Sequence, residues 1–140
     1  MLCPDVNVLV LAFRADTSHH QQAHTWLDAA QRGSEPVVVL AEVAAAVVRI
    51  LTNPRAWAHP STSTEVLACI DDLVTSPCVV LAEGPVGRWP RFAEMLKSGD
   101  FSGNDVPDVF LAAAAIDLGA TLVTFDRGFS RFDGLALQLL

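Results

Sequence analysis

The segment VPDVFLAAAAIDLGATLVTFD, from Val106 to Asp126, joins a helix pattern to a strand pattern and ends on an acid. The Ala- and Leu-rich stretch after Pro107 favours a helix that reaches Leu118, and Gly119 is a residue that commonly follows a helix end. The almost continuously apolar run TLVTF is typical of a strand with helices packed on both faces. The segment therefore predicts a helix–strand unit that delivers a carboxylate at the carboxyl end of a buried strand.

The rest of the chain repeats this alternation of strand and helix patterns. Strands are predicted at residues 2–4, 36–40, 78–82 and 135–140, in addition to 121–125. Helices are predicted at residues 6–13, 19–32, 41–51, 63–74 and 86–97, in addition to 106–118. Apolar strands interleaved with helices indicate an α/β protein with a mostly parallel central sheet.

Composition is that of one compact domain covering residues 1–140, with 51% hydrophobic and 18% charged residues. The longest apolar run, Val109 to Ile116, is too short to cross a membrane, and no basic segment precedes an apolar one at the N-terminus. We therefore expect a cytoplasmic protein without a membrane anchor. The three cysteines contain no C-x-x-C pair and are expected to be small buried residues in a reducing compartment.

The net charge of −7 argues against a protein that binds nucleic acid through a basic face. It does not exclude a phosphate-containing substrate, because bound cations could lie between the acidic residues and the phosphate.

Four acids are predicted at one edge of the sheet. Asp5 follows the first strand, Glu42 begins the helix after VVVL, Asp108 lies in the first turn of its helix, and Asp126 follows TLVTF. Each has an ordinary explanation on its own, as a helix cap, a partner of the helix dipole or a turn residue. In parallel α/β sheets, however, ligands bind at the carboxyl ends of the strands.

Four carboxylates brought together would repel one another unless cations neutralised them. Oxygen ligands of this kind suit Mg²⁺ or Mn²⁺. Two such ions can activate a water and stabilise the leaving oxygen in phosphodiester hydrolysis. The pattern therefore predicts a nuclease-like site.

Three blocks of sequence carry a family resemblance: DVNVLVLAFRADTSHH (5–20), LAEVAAAVVRILTNPRAW (40–57) and GNDVPDVFLAAAAIDLGATLVTFDRGFSRFDGL (103–135). Together they resemble the PIN-domain ribonucleases, specifically the VapC toxins of bacterial toxin–antitoxin modules. The resemblance implies a three-layer α/β/α sandwich and a Mg²⁺- or Mn²⁺-dependent endoribonuclease that cleaves structured RNA, such as tRNA or rRNA. It also implies a homodimer and a cognate VapB-like antitoxin whose tail occupies the active-site groove. The family's acidic quartet corresponds to Asp5, Glu42, Asp108 and Asp126.

Two positions depart from the family pattern. Gly128 stands where relatives often carry a second Asp, and Asp105 stands where many are apolar. Asp105 is expected either to cap the following helix or to replace part of the missing carboxylate.

Three more residues are candidates for contacts around the site. Asn7 could hydrogen-bond the acids or be an ordinary polar residue at a helix start. Thr124 points to the same face as Asp126, because the two lie two residues apart. Arg127 could contact the RNA backbone or pair with a neighbouring acid.

Other features have weaker interpretations. His20 and His24 have the spacing of a transition-metal pair, but a solvated helix face is favoured. Trp57 could stack on bases, fill a groove or pack against its own helix. The few cations available for phosphate contacts are Arg88, Arg91, Lys97, Arg127 and Arg131.

Two alternative functions remain open. The start DVNVLV loosely resembles the D-x-D motif of haloacid-dehalogenase-type phosphatases, but Asn7 replaces the second acid and Lys97 is not in the expected setting. A PIN-like module that has lost catalysis and acts by binding protein is the other alternative, supported only by Gly128 and Asp105.

Overall fold

The computed structural model describes residues 1–140 and contains five strands and six helices. The strands are β1 (Leu2–Pro4), β2 (Val37–Leu40), β3 (Val79–Ala82), β4 (Thr121–Thr124) and β5 (Ala136–Leu139). The helices are α1 (Val6–Phe13), α2 (His20–Arg32), α3 (Ala41–Leu51), α4 (Ser63–Val74), α5 (Trp89–Ser98) and α6 (Val106–Leu118). Short 3₁₀ turns at Gly103–Asp105 and Arg127–Arg131 precede α6 and β5.

The strands form one sheet in the order β3-β2-β1-β4-β5, and every neighbouring pair is parallel. Helices α1 to α4 form one connected group of contacts and α5 packs against α6, which gives the three layers of an α/β/α sandwich. The predicted fold class is thus confirmed. Because the strand order reverses between β1 and β4, this fold places its ligand crevice at the carboxyl ends of those two strands.

The core explains which strands are buried. All four residues of β2 are buried, because β2 lies inside the sheet and has helices against it. The strands at the edges, β3 and β5, are partly exposed, with Val80 at 56% and Leu139 at 44%. The apolar side chains of the two edge strands are therefore only partly covered.

Local sequence signals set several element ends. Helix α4 begins with a capping box, in which the Thr62 hydroxyl accepts from the Glu65 N–H at 3.2 Å and the Glu65 carboxylate accepts from the Thr62 N–H at 2.7 Å. Helix α6 ends at Gly119, whose φ of +61° lies in the left-handed region. Both ends agree with the sequence prediction.

Two expectations are wrong. Helix α5 begins at Trp89 and not at Val86, because Gly84 and Gly87 adopt φ values of +89° and +82° and keep the preceding residues in a loop. Cys69 is exposed on α4 and not buried, while the thiol of Cys3 is in the core. No helix is both long and apolar enough to cross a membrane.

Candidate functional site

The four predicted acids lie at the carboxyl edge of the sheet. Asp5 follows β1 and Asp126 follows β4; these strands are neighbours, and the Asp5 N–H donates to the Val123 carbonyl at 2.9 Å. Glu42 lies in the first turn of α3, directly after β2. Asp108 lies in the first turn of α6.

Asp5 is the most strongly fixed of the four, with 7% of its surface exposed. Its carboxylate accepts three hydrogen bonds of 2.6 Å each, from the Val6 N–H, the Asn7 amide and the Thr124 hydroxyl. The side-chain oxygen Oδ1 of Asn7 also accepts from the Phe125 N–H at 3.2 Å, which connects the start of α1 to the end of β4. The structure therefore brings Asn7 and Thr124 together around Asp5, where the sequence predicted contacts.

Thr124 also connects Asp5 to Asp126. The buried Thr124 hydroxyl donates a hydrogen bond to the Asp5 carboxylate, and its oxygen accepts one from the Asp126 N–H at 3.0 Å. Thr124 thereby orients the carboxylate of Asp5, which follows β1, and the backbone of Asp126, which follows β4.

The electrostatics show that these acids act on one another. Burial raises the pKa of Asp5 to about 6; hydrogen bonds from Thr124 and Val6 oppose the shift, and the carboxylates of Asp108 and Asp126 add to it. Burial also raises the pKa of the Cys3 thiol to about 12, with Glu42 and Asp5 contributing. At the end of β1, neighbouring carboxylates thus add to the effect of burial on both groups.

Asp126 differs from Asp5 in being exposed. Its side chain accepts from the Gly128 N–H at 2.7 Å and caps the 3₁₀ turn that follows. A Cβ at position 128 would lie 2.9 Å from that same carboxylate oxygen. The glycine at this departure from the family pattern thus allows Asp126 to fold back onto the turn.

Two arginines hold the remaining acids, and the sequence did not predict these pairs. Arg88 forms an ion pair with Glu42. Arg131 bridges Asp105 at 2.8 Å and Asp108 at 3.3 Å. Each pair joins residues more than twenty positions apart, and no local pattern signals such a contact.

Arg131 also affects the pKa values of the two acids at the start of α6. Its guanidinium holds the pKa of Asp105 below the usual range, whereas burial raises the pKa of Asp108 despite the opposing effect of Arg131. Asp105 is the N-cap residue of α6, as predicted, but its side chain accepts no hydrogen bond from that helix. It accepts instead from the Ser102 N–H at 3.4 Å, at the start of the preceding 3₁₀ turn. Arg127 is exposed and forms no ion pair, so its predicted pairing with a neighbouring acid is not made.

The donor set fits a hard divalent cation, since all four candidate ligands are carboxylates. No three acidic, His or Cys groups, however, enclose a single point suited to an ion in the observed conformation. Glu42 and Asp108 are both engaged by guanidinium groups. A metal ion bound through all four acids would therefore compete with these two ion pairs.

The other sequence candidates have structural roles or remain on the surface. The Trp57 ring N–H donates to the Ile50 carbonyl at 2.8 Å and Arg14 lies 4.2 Å above the ring, so Trp57 packs against its own chain. His20 contacts the Leu11 carbonyl at 3.0 Å through Nδ1, and His24 is exposed.

Comparison with known proteins gives consistent matches over nearly the whole chain. The profile described as PIN domain matches residues 2–135. A VapC ribonuclease of Mycobacterium bovis is 35% identical over 94% of this chain and 90% of its own length. Ribonuclease VapC31 of Mycobacterium tuberculosis is 32% identical over 94% of this chain and 93% of its own length.

Solved structures show the same fold at lower identity. VapBC2 from Rickettsia felis, bound to a DNA fragment from its promoter, matches with a TM-score of 0.74 at 16% identity, covering 99% of this chain and 98% of that chain. VapC20 from Mycobacterium tuberculosis, described as a toxin that cleaves the sarcin-ricin loop, matches with a TM-score of 0.71 at 16% identity, covering 97% and 99%.

Proposed function

Because this chain belongs to the PIN domain family, we propose that it is an endoribonuclease that acts as the toxin of a VapBC-like toxin–antitoxin module. The observation that carries the proposal is the acidic edge itself, on a chain 35% identical to a VapC ribonuclease over 94% of its length. The proposed partner is a VapB-like antitoxin, since similar folds occur in VapBC and FitAB complexes.

We further propose that Asp5, Glu42, Asp108 and Asp126 hold Mg²⁺, with Mn²⁺ as a substitute. A bound ion would polarise the scissile phosphate and lower the pKa of an attacking water. Support comes from the carboxylate-only donor set and from the raised pKa of Asp5, because a buried carboxylate among other carboxylates is stabilised by a cation.

The chain's own residues prepare this site before any ion binds. Thr124 and Asn7 fix the Asp5 carboxylate through hydrogen bonds of 2.6 Å each. Such fixed partners orient a ligand and keep it in one rotamer. Arg127, exposed and next to Asp126, is positioned to contact an RNA phosphate.

The substrate we propose is a structured RNA, either tRNA or rRNA, and the active form a homodimer. With a net charge of −7, the chain has few cations for phosphate contacts. Substrate affinity should therefore depend mainly on bound metal, and a chelator that removes the metal should abolish RNA binding.

The test is cleavage of cellular RNA by the purified protein with EDTA, Mg²⁺ or Mn²⁺. We expect Asp126→Asn to abolish cleavage and the matched variant Asp71→Asn to retain it, because Asp71 is an exposed residue of α4 without an ion pair. Cleavage that persists in excess EDTA would refute metal dependence. Equal activity of the two variants would refute the site.

The two alternatives make different predictions. A PIN-like binding module would still arrest growth after Asp5→Ala, whereas a nuclease would not. A haloacid-dehalogenase-type phosphatase needs an acid at position 7, and there the Asn7 amide donates to Asp5, which leaves no acid to protonate a leaving group.

A further inference from the structure

We infer that Arg88 is a displaceable counter-cation of the proposed metal site: it pairs with Glu42 and competes with a metal ion for the Glu42 carboxylate. The inference rests on the proposed function, because it requires Glu42 to be a metal ligand. It adds a device that sets the metal concentration at which the site fills.

Arg88 is held in a specific position and is not a loose surface cation. It lies immediately before α5, its guanidinium pairs with Glu42 across 46 residues of sequence, and it lies 4.0 Å above the Phe110 ring. The two charged side chains are 19% and 28% exposed. A partly shielded, charge-assisted pair is stronger than one in open solvent.

The loop before α5 leaves room for this guanidinium. Gly84 adopts a φ of +89°, and a Cβ at this position would lie 2.6 Å from Nη1 of Arg88. Glycine therefore allows both the backbone turn and the close approach of the arginine. On its outer side the loop is not packed, since Val86 is fully exposed and Trp89 is 67% exposed. Movement of Arg88 away from Glu42 would break the ion pair and the contact with the partly exposed Phe110 ring.

Competition follows from the chemistry of the carboxylate. The Glu42 carboxylate carries one negative charge, which its two oxygens share, and Arg88 pairs with one of them. The positive charge of the guanidinium also repels a divalent cation that approaches the carboxylate. Metal binding at Glu42 must therefore overcome both the ion pair and this repulsion. Arg131 differs, because it also binds Asp105 and can remain there if Asp108 is released.

The experiment measures Mn²⁺ binding directly, by electron paramagnetic resonance and by calorimetry, on the full chain without RNA. We expect Arg88→Gln to lower the Kd for Mn²⁺ about three- to tenfold. The matched control is Arg32→Gln, which removes the same charge and an ion pair, with Asp28, on helix α2 away from the four acids. We expect its Kd to change by less than about twofold.

Two further variants keep the outcomes separate. Arg88→Met puts a long, uncharged side chain where the guanidinium lies over Phe110, and it should reproduce the tighter binding if Arg88→Gln fails to fold. Glu42→Gln should weaken Mn²⁺ binding, because it removes both the ligand and the partner of Arg88.

Each outcome decides a different statement. Failure of the wild-type chain to bind Mn²⁺ would refute the metal part of the proposed function. Weaker binding by Glu42→Gln, together with equal Kd values for the Arg88 and Arg32 variants, would refute the inference alone. Tighter binding by the Arg88 variants only, accompanied by a larger Mn²⁺-induced rise in Tm, would support it.

Discussion

Stability of the metal-free protein should fall as pH rises, because Asp5 is buried in a negatively charged region. The pKa of Asp5 is about 6 in the folded protein, against an ordinary value of 3.8 for an aspartate side chain. A folded-state pKa above the unfolded value means that the contribution is fully present below pH 3.8 and is lost as pH rises through about 6. The perturbation we propose is Asp5→Asn, which removes the ionisation and keeps the size of the side chain.

The magnitude follows from the size of the shift. A difference of about 2.2 pKa units corresponds to about 3 kcal/mol of stability lost on going from strongly acidic to alkaline solution. Roughly 1 kcal/mol of this falls between about pH 5 and pH 8, the range of the experiment. Asp5→Asn should lack this pH-dependent contribution. The difference in unfolding free energy between wild type and Asp5→Asn should therefore change by that amount between about pH 5 and pH 8.

The assay is urea unfolding in EDTA, followed by tryptophan fluorescence, at several pH values between about 5 and 8. Only the pH dependence of the difference matters, because Asn at position 5 also alters the hydrogen bonds from Asn7 and Thr124. Ionisations far from Asp5 are common to both proteins and cancel. The carboxylates of Asp108 and Asp126 contribute to the raised pKa of Asp5 and remain part of the difference. Parallel curves for wild type and Asp5→Asn, within about 0.3 kcal/mol, would refute the assignment of the raised pKa to Asp5.

Two further predictions concern helix ends. Thr62→Ala should lower the unfolding free energy by about 1 kcal/mol, because it removes the hydroxyl that caps α4, whereas Thr64→Ala on the exposed first turn should change it little. Gly119→Ala should cost about 1 kcal/mol through backbone strain alone, since nothing lies within 4 Å of the added Cβ. Gly119→Asn should cost less, and an equal loss for Asn and Ala would contradict that explanation.

The sequence predicted best those features that depend on neighbouring residues. The ends of α4 and α6 depend on a capping box and on a glycine, and both can be seen in a few letters. The order of the strands could not be predicted from such signals, because it depends on which β-strands pair across long separations. The start of α5 was misplaced because Val86 fits a helix pattern, whereas the glycines on either side of it favour a loop.

The candidate site divides in the same way. Asp5 and Asp126 could be placed because each follows a strand, and the parallel sheet brings strand ends to one edge. The partners of Glu42 and Asp108 could not, since a long arginine side chain can reach many acids and sequence does not select among them. Thr124 was located by strand alternation, but its bond to Asp5 joins residues 119 positions apart.

The arginine pairs also bear on how so acidic a protein could bind RNA. Arg127 is an exposed cation beside Asp126, whereas Arg88 and Arg131 are committed to acids of the site. If a metal displaces Arg88, the net charge at this edge rises by the two positive charges of the ion. The Arg88 guanidinium, which Glu42 then no longer holds, also becomes free to contact a phosphate. RNA affinity should accordingly rise more steeply with Mn²⁺ in wild type than in Arg88→Gln, and equal slopes would show that the released arginine takes no part in binding RNA.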